Sequence, residues 1–113
     1  MRMLWYSGLY TGKKADLHRA DVIRQIRDGK SLPWVYVVTP ASNRENILDI
    51  YRADDLKNPA YREREFLILG VADGYQEALE VAAGIVGELY EKTGDFHLER
   101  LIPEVEACWS RRF

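Results

Sequence analysis

Cysteine and histidine are scarce in this chain, which has one cysteine, Cys108, and two histidines among its 113 residues. A single cysteine excludes an internal disulfide and is typical of a protein from a reducing compartment. Cys108, His18 and His97 are together too few for a Cys/His zinc cluster, and no motif orients them for catalysis. We therefore expect no metal, no cofactor and no catalytic residue.

Long hydrophobic runs are also missing. The two longest, residues 34–38 and 66–72, are strand-sized and far short of the ~20 residues that a membrane-spanning helix needs. The N-terminal stretch has neither the apolar core nor the small-residue cleavage site of a signal peptide. The sequence therefore predicts a cytoplasmic protein with no membrane partner.

An excess of charge of one sign is absent as well, because 16 Lys and Arg residues against 18 Asp and Glu residues leave a net charge of −2. A protein that coats nucleic acid is usually basic, so this class of function is disfavoured. The charge is uneven, however, since residues 1–30 hold seven basic and three acidic side chains. Five of these basic residues form a candidate basic patch: Lys13, Lys14, Arg19, Arg24 and Arg27.

The composition that remains is that of a globular domain, with 47% hydrophobic and 30% charged residues. A chain of this length is expected to form one domain with its own core, residues 1–113, in which residues 103–113 are a candidate tail. Nothing in the sequence repeats at the periods of solenoid proteins.

Residue periodicity predicts alternating strands and helices. Strands are predicted at residues 3–10, 34–39, 47–51 (weakly), 66–72 and 96–102, and helices at 15–28 and from 75 to about 93. Without residues 41–64 the order is β-α-β-β-α-β, which is the ferredoxin-like arrangement. The sequence thus predicts an α+β sandwich of this kind with residues 41–64 as an inserted hairpin arm. A mixed-sheet α/β layer with another strand order is the alternative.

Two predicted strands are apolar on both faces, which a strand with one buried face is not. In the first, Trp34, Tyr36 and Val38 share one face, and Val35 and Val37 share the other. In the second, Phe66, Ile68 and Ala72 share one face, and Leu67, Leu69 and Val71 share the other. Two helices can cover one face of a sheet, so something else must cover the second.

Three covers for the second face remain open: the chain's own arm and tail, a ligand, or a second copy of the chain. Dimers with two-fold symmetry are the commonest oligomers, and aromatic side chains commonly anchor buried contacts. The sequence therefore predicts a symmetric homodimer, with Trp34, Tyr36 and Val38 as candidate interface residues.

The helix that begins near residue 75 has two features of interest. Asp73 is placed to cap its first amides, with Gln76 at the position of a capping box. Gly84 and Gly87 lie inside it, where each glycine costs about 1 kcal/mol relative to alanine. We interpret these glycines as a sign that another backbone approaches this helix closely.

Two glycine-containing loops were compared with phosphate-binding motifs. The segment Gly8-Leu-Tyr-Thr-Gly12-Lys13 differs from a P-loop in spacing and lacks the Ser or Thr after the lysine. The segment Gly70-Val-Ala-Asp73-Gly74 lacks the glycine spacing of a dinucleotide-binding loop. We interpret the first as a turn and Gly70 as a bulge or a close backbone approach.

Residues 35–40 (VYVVTP), 47–50 (ILDI) and 66–79 (FLILGVADGYQEAL) resemble a group of small uncharacterised bacterial α/β proteins. The resemblance covers most of residues 3–102. It implies a bacterial cytoplasmic protein and carries over no catalytic residue.

The predicted function is a non-enzymatic protein-interaction or regulatory module that self-associates and could also bind a protein partner. An apolar exposed patch would favour this function. One alternative is a small-molecule sensor domain with its ligand at a subunit interface, which requires a pocket with convergent polar groups. The other is an RNA-binding module, which requires a continuous basic surface on residues 1–30 with exposed aromatic side chains.

Overall fold

The computed structural model describes residues 2–43 and 45–110, the last three of these by their backbone alone. The strands are β1 (Arg2–Thr11), β2 (Val35–Pro40), β3 (Leu48–Arg52) and β4 (Glu65–Asp73). The helices are α1 (Lys13–Asp16), α2 (Arg19–Arg27), α3 (Tyr75–Thr93), α4 (Leu98–Leu101) and α5 (Glu104–Ser110). Two 3₁₀ helices, Ala53–Lys57 and Pro59–Tyr61, lie between β3 and β4.

The four strands form one mixed sheet in the order β1-β4-β2-β3. β1 runs parallel to β4, whereas β2 is antiparallel to both β4 and β3. The domain is therefore α+β, and its mixed sheet with a different strand order is what the alternative prediction proposed. The ferredoxin-like arrangement is not confirmed, because it needs a strand after α3.

The predicted strand at residues 96–102 is wrong. This segment contains α4, which is followed directly by α5. Leu98, Ile102 and Val105 are all buried in the core. All three pack in the same core cluster, so this segment is buried through two short helices rather than through a strand.

The helical face of the sheet is covered by α3, α4 and α5. Val38, Leu67 and Leu69 point from the sheet into this layer. The helices contribute buried residues at helical spacing: Ala78, Val81, Ile85, Leu89, Leu98, Ile102 and Val105. The candidate tail is thus docked through Val105, and residues 111–113 lie outside the described part of the chain.

The opposite face, called here the arm face, is covered by α1, α2 and the segment that carries the 3₁₀ helices. The strands contribute Leu9, Val35, Val37, Phe66, Ile68 and Val71 to it, and the covering elements with the loop before β2 contribute Ala15, Ile26, Leu32, Ala53 and Leu56. Leu56 is only 1% exposed, so the predicted arm is part of the core and not a projecting insertion. Both sheet faces are covered by the chain itself.

Polar contacts fasten the arm segment to the loop before β2. The Asp54 carboxylate accepts hydrogen bonds from the Leu32 backbone N–H at 2.8 Å and from the Ser31 hydroxyl at 3.0 Å. The bond from Leu32 is the main reason that the pKa of Asp54 lies below its usual value. Lys57 Nζ donates to the Lys30 carbonyl at 2.9 Å. These contacts keep the arm against the sheet.

Near Gly70 the predicted faces of β4 are in error. Val71 lies with Phe66 and Ile68 on the arm face, and Ala72 lies on the helical face, the reverse of the alternation expected from residues 66–69. A Cβ at Gly70 would come within 2.8 Å of Val81 in α3 and 3.3 Å of the Tyr10 carbonyl oxygen. The glycine therefore permits the close approach predicted for it, and the register of β1 against β4 shifts between Trp5 and Tyr10.

The helix boundaries are partly as predicted. Gly29 and Gly94 follow their helices with positive φ angles of 72° and 76°, as helix-terminating glycines do. The predicted helix at 15–28 is divided into α1 and α2 at Leu17 and His18. The predicted Asp73 cap is wrong, because Gly74 is the N-cap residue of α3 and Asp73 lies one residue before it.

Candidate functional site

The outward side of α3 carries exposed apolar residues along its whole length. Six residues, called here the α3 stripe, share this exposure: Tyr75, Leu79, Ala83, Gly87, Tyr90 and Phe96. Four of the six large hydrophobic side chains that are exposed in the described chain belong to it, at 41–57% exposure. Single exposed hydrophobic residues are ordinary, but an aligned set of this length marks a surface suited to binding.

Aromatic pairs form both ends of the α3 stripe. Tyr75 packs edge-on against Tyr36 of β2, with ring centroids 5.6 Å apart. Tyr90 stacks on Phe96, with ring centroids 5.3 Å apart and the planes 20° from parallel. These contacts orient the rings without burying them, so the stripe is ordered within the monomer.

Gly84 and Gly87 are exposed on α3, and a Cβ at either would lie in open space. Alanine would therefore fit at both positions and would favour the helix by about 1 kcal/mol at each. Nothing within the described chain approaches close enough to require a glycine. The close backbone approach that the sequence predicts for these residues is not made inside the monomer.

The other flank of α3 is polar and is tied to β1. The Tyr10 hydroxyl donates to a Glu88 carboxylate oxygen at 2.7 Å, and Lys92 Nζ lies 2.8 Å from the other oxygen. These two contacts hold the pKa of Glu88 below its usual value, with the Lys92 bond as the larger cause. The free apolar surface of α3 is thus confined to the side that faces Tyr36.

The structure separates the three predicted interface residues. Val38 is fully buried beneath α3, so it is not part of a surface. Tyr36 is half-buried under Tyr75 and lies at one edge of the α3 stripe without belonging to it. Trp34 lies in the turn before β2 and is 54% exposed. The candidate interface therefore stays a prediction, and of its three residues only Trp34 is exposed.

A second site lies where β1 and β4 end. Glu77 in the first turn of α3 is 7% exposed and accepts three backbone hydrogen bonds. One carboxylate oxygen accepts from Lys14 N at 2.6 Å, and the other accepts from Asp73 N at 2.5 Å and Ala15 N at 3.3 Å. A Cβ at Gly12 would overlap this carboxyl group, so Gly12 is required for the contact.

Glu77 explains why neither glycine loop forms a phosphate site of its own. The backbone amides that follow Gly12 point at an anion, as they would in a phosphate-binding loop, but the anion is the Glu77 side chain. Glu77 is not among the candidate residues predicted from the sequence. With Gly74 as the N-cap, Glu77 is at the third helical position, where a capping box places a carboxylate, and that spacing could have revealed it.

A cleft of about 230 Å³ opens beside this carboxylate, between α1, α2 and the turn before β2. Its apolar lining consists of Ala15, Val22, Leu32, Trp34 and Val35. Its polar lining consists of Lys14, His18, Asp21, Gln25 and Asp73. His18 therefore lies at a cleft, a position that its place in the sequence does not reveal.

The candidate basic patch is interrupted in the structure. Its five residues lie on α1 and α2, but Arg24 binds Asp21 at 2.9 Å, and Arg19 lies 4.0 Å from Asp16. The Arg27 guanidinium lies over the Trp5 ring at 5.5 Å. Of the five residues, only Lys13 and Lys14 make none of these contacts. The five residues therefore do not form a continuous basic surface.

A third surface, between the β2–β3 turn and α4, is acidic. It is a hollow of about 700 Å³ whose lining includes Glu45, Asp95, His97, Glu99 and Glu106. Asp95 accepts from the His97 backbone N–H at 3.0 Å and pairs with Arg100, and these bonds lower its pKa to about 2. His97 thus lies in a turn and not in the predicted strand. The Cys108 side chain lies outside the described part of the structure.

No protein-family model, curated protein or solved structure matches the chain. The resemblance to small bacterial proteins therefore stays a prediction. Within residues 2–43 and 45–110, no helix is both long and apolar enough to cross a membrane. The same part of the chain has no group of three His, Cys, Asp or Glu side chains placed to hold a metal ion.

Proposed function

We propose that this protein is a non-enzymatic interaction module that acts as a symmetric homodimer joined through the α3 stripe. The observation that carries the proposal is the row of exposed apolar side chains along α3. The same helix has two glycines, Gly84 and Gly87, at positions where no neighbour in the described chain requires a glycine. The exposed aromatic rings supply area for a buried contact, and Gly87 lets a second backbone approach closely. The expected regulatory role depends on this association.

The sequence of α3 is complementary to itself when two copies lie antiparallel with Ala83 opposite Ala83. Leu79 of one copy then lies opposite Gly87 of the other, so a large side chain meets a small one. In the same register Tyr90 lies opposite Gln76, and no two acidic residues of α3 oppose each other. A register centred between Ile85 and Val86 would place Glu80 against Glu91, which like-charge repulsion disfavours. The second copy is therefore the occupant that fits.

Light scattering after size exclusion tests this proposal. The wild type should have about twice the monomer mass of 13.1 kDa at micromolar concentration. Leu79→Arg should give the monomer, because the charge would be buried in the interface. Leu17→Arg is the matched control, since Leu17 is 78% exposed and lies away from the α3 stripe. It should leave the dimer intact.

Disulfide trapping tests the register independently. In a Cys108→Ser background, Ala83→Cys should cross-link two copies under mild oxidation, whereas Glu91→Cys should not. A wild type that stays monomeric at all concentrations, or equal cross-linking at the two positions, would contradict the α3 dimer. A charged substitution at Tyr36 would not be a useful probe of association, because Tyr36 packs against Tyr75 and the core of the helical face.

The two alternative functions have less support. A sensor with its ligand at the subunit interface would need convergent polar groups on the dimer surface, and the α3 stripe is apolar. An RNA-binding module would need a basic surface, and the acidic residues Asp16 and Asp21 contact the patch on α2. A cytoplasmic location is proposed on the sequence alone.

A further inference from the structure

The cleft between α1, α2 and Trp34 combines an apolar lining with charged groups on its rim. Ala15, Leu32 and Val35 are 1–3% exposed and form apolar lining deep in the fold. The exposed Trp34 indole forms part of the wall. Its volume of about 230 Å³ is below the ~300–1,000 Å³ of sites for drug-sized ligands, so the cleft suits a smaller molecule.

Two oppositely charged side chains of the rim are left unpaired in the described chain. Neither the Asp73 carboxylate nor the Lys14 ammonium makes a side-chain hydrogen bond or an ion pair with any residue described. The neighbouring Asp21 is different, because it is bound by Arg24. Asp73 is half-buried, and a carboxylate in that position gains from a cationic partner.

Glu77 fixes the backbones that carry these two charges. Its carboxylate accepts from the Lys14 N–H with one oxygen and from the Asp73 N–H with the other. The Trp34 carbonyl accepts from Gly74 N at 2.7 Å, which holds the indole-bearing residue beside Asp73. The cation, the carboxylate and the aromatic wall therefore have fixed attachment points at one end of the cleft.

We propose that this cleft binds a small zwitterion, an α-amino acid with an apolar side chain. The ligand ammonium binds Asp73, the ligand carboxylate binds Lys14, and its side chain lies on Leu32 and the Trp34 indole. A simple anion would leave Asp73 unpaired, and a simple cation would leave Lys14 unpaired. The site lies within one chain, so it does not depend on the proposed homodimer.

A titration followed by ¹H–¹⁵N NMR tests the site with three probes that share one apolar group. They are L-leucine, 3-methylbutylamine, which lacks the carboxylate, and 4-methylpentanoate, which lacks the ammonium. L-leucine should shift the Trp34 indole N–H and the Ala15 amide with saturation. 3-Methylbutylamine and 4-methylpentanoate should each bind about tenfold more weakly than L-leucine. Each lacks one charge-assisted hydrogen bond, which contributes ~1.5–3 kcal/mol, and about 1.4 kcal/mol corresponds to a tenfold change in affinity.

Two variants cross-check the assignment of each charge. Lys14→Gln should weaken the binding of L-leucine about tenfold and leave the binding of 3-methylbutylamine unchanged. Asp73→Asn should weaken the binding of both and leave the binding of 4-methylpentanoate unchanged. Lys13→Gln is the matched control, because Lys13 does not line the cleft. No saturable shift with L-leucine, equal binding of L-leucine and the amine, or loss of binding in Lys13→Gln would overturn the proposal.

Discussion

The helical face of the sheet is covered by one long helix with α4 and α5 beside it, and the arm face is covered by four short elements. α3 has 19 residues and packs through one side only, so its other side is free to bind. The arm elements have three to nine residues and depend on contacts with one another. Aromatic residues therefore have different roles on the two faces: on the arm face they stabilise the fold, and on α3 they are exposed.

Glu77 links α3, on the helical face, to α1, on the arm face. Its substitution is expected to have the largest effect on stability. Glu77→Ala leaves three backbone N–H groups without their acceptor, two in α1 and one at the end of β4, and should lower the free energy of unfolding by about 2–4 kcal/mol. Glu77→Gln keeps one acceptor oxygen and should cost about half as much. Urea denaturation followed by circular dichroism measures both.

Gln76→Ala is the control for this prediction, because Gln76 is the exposed neighbour that the sequence marked for the capping box. It should change stability by less than about 0.5 kcal/mol. Formate should restore part of the stability of Glu77→Ala, since a small carboxylate can occupy the vacated cradle. Equal effects of the Gln76 and Glu77 substitutions would mean that the carboxylate does not join α1 to α3.

The sequence predicted the features that depend on a single helix and the sheet face against which it packs. The apolar spacing of α3 predicted its extent, and the glycine at position 94 predicted its end. It failed where the fold depends on contacts that are distant in the chain. Glu77 receives two of its three hydrogen bonds from residues 14 and 15, more than 60 positions away. The capping-box spacing could have indicated Glu77 itself, but no local pattern indicates these two distant partners.

The arm was misread for a related reason. Within residues 41–64, the loop at 41–46 and the charged stretch that begins at 57 contain few apolar residues, and the segment was therefore predicted to be an inserted arm. Leu56 and Tyr61 nevertheless pack with Phe66 and Tyr51 on the arm face. The two-sided apolar strands indicated that a second cover was needed, and the arm together with α1 and α2 forms that cover.

Two tyrosines, Tyr61 on the arm face and Tyr90 on α3, are expected to contribute differently to the stability of the monomer. Tyr61 packs edge-on against Phe66 and Tyr51, with ring centroids at 5.4 and 6.1 Å, and Tyr61→Ala should cost about 2–4 kcal/mol of stability. Tyr90 is 57% exposed and stacks on Phe96, so Tyr90→Ala should cost less than about 1 kcal/mol.

Denaturation at low protein concentration measures both tyrosine substitutions without a contribution from association. Light scattering at higher concentration should then show that Tyr90→Ala weakens the dimer while Tyr61→Ala, if folded, retains it. The opposite assignment, with Tyr90 the more costly residue for the monomer, would show that the α3 stripe is needed for folding.

The smallest expected effect concerns the turn between α3 and α4. The pKa of Asp95 is held at about 2, mainly by the hydrogen bond from the His97 N–H and further by Arg100 and Thr93. A carboxyl group with a folded-state pKa below its usual 3.8 stabilises the fold above that value. This stabilisation is lost as the pH falls from about 4 to about 2. Asp95→Asn should therefore lower the melting temperature slightly at pH 7.

The melting temperatures of wild type and Asp95→Asn should converge as the pH falls through this window, which thermal denaturation at a series of pH values measures. Arg100→Gln separates the causes, because it removes the ion pair but keeps the stronger contribution of the His97 N–H. It should reproduce only part of the Asp95→Asn effect at pH 7. If Arg100→Gln reproduces all of it, the ion pair and not the backbone hydrogen bond stabilises the turn.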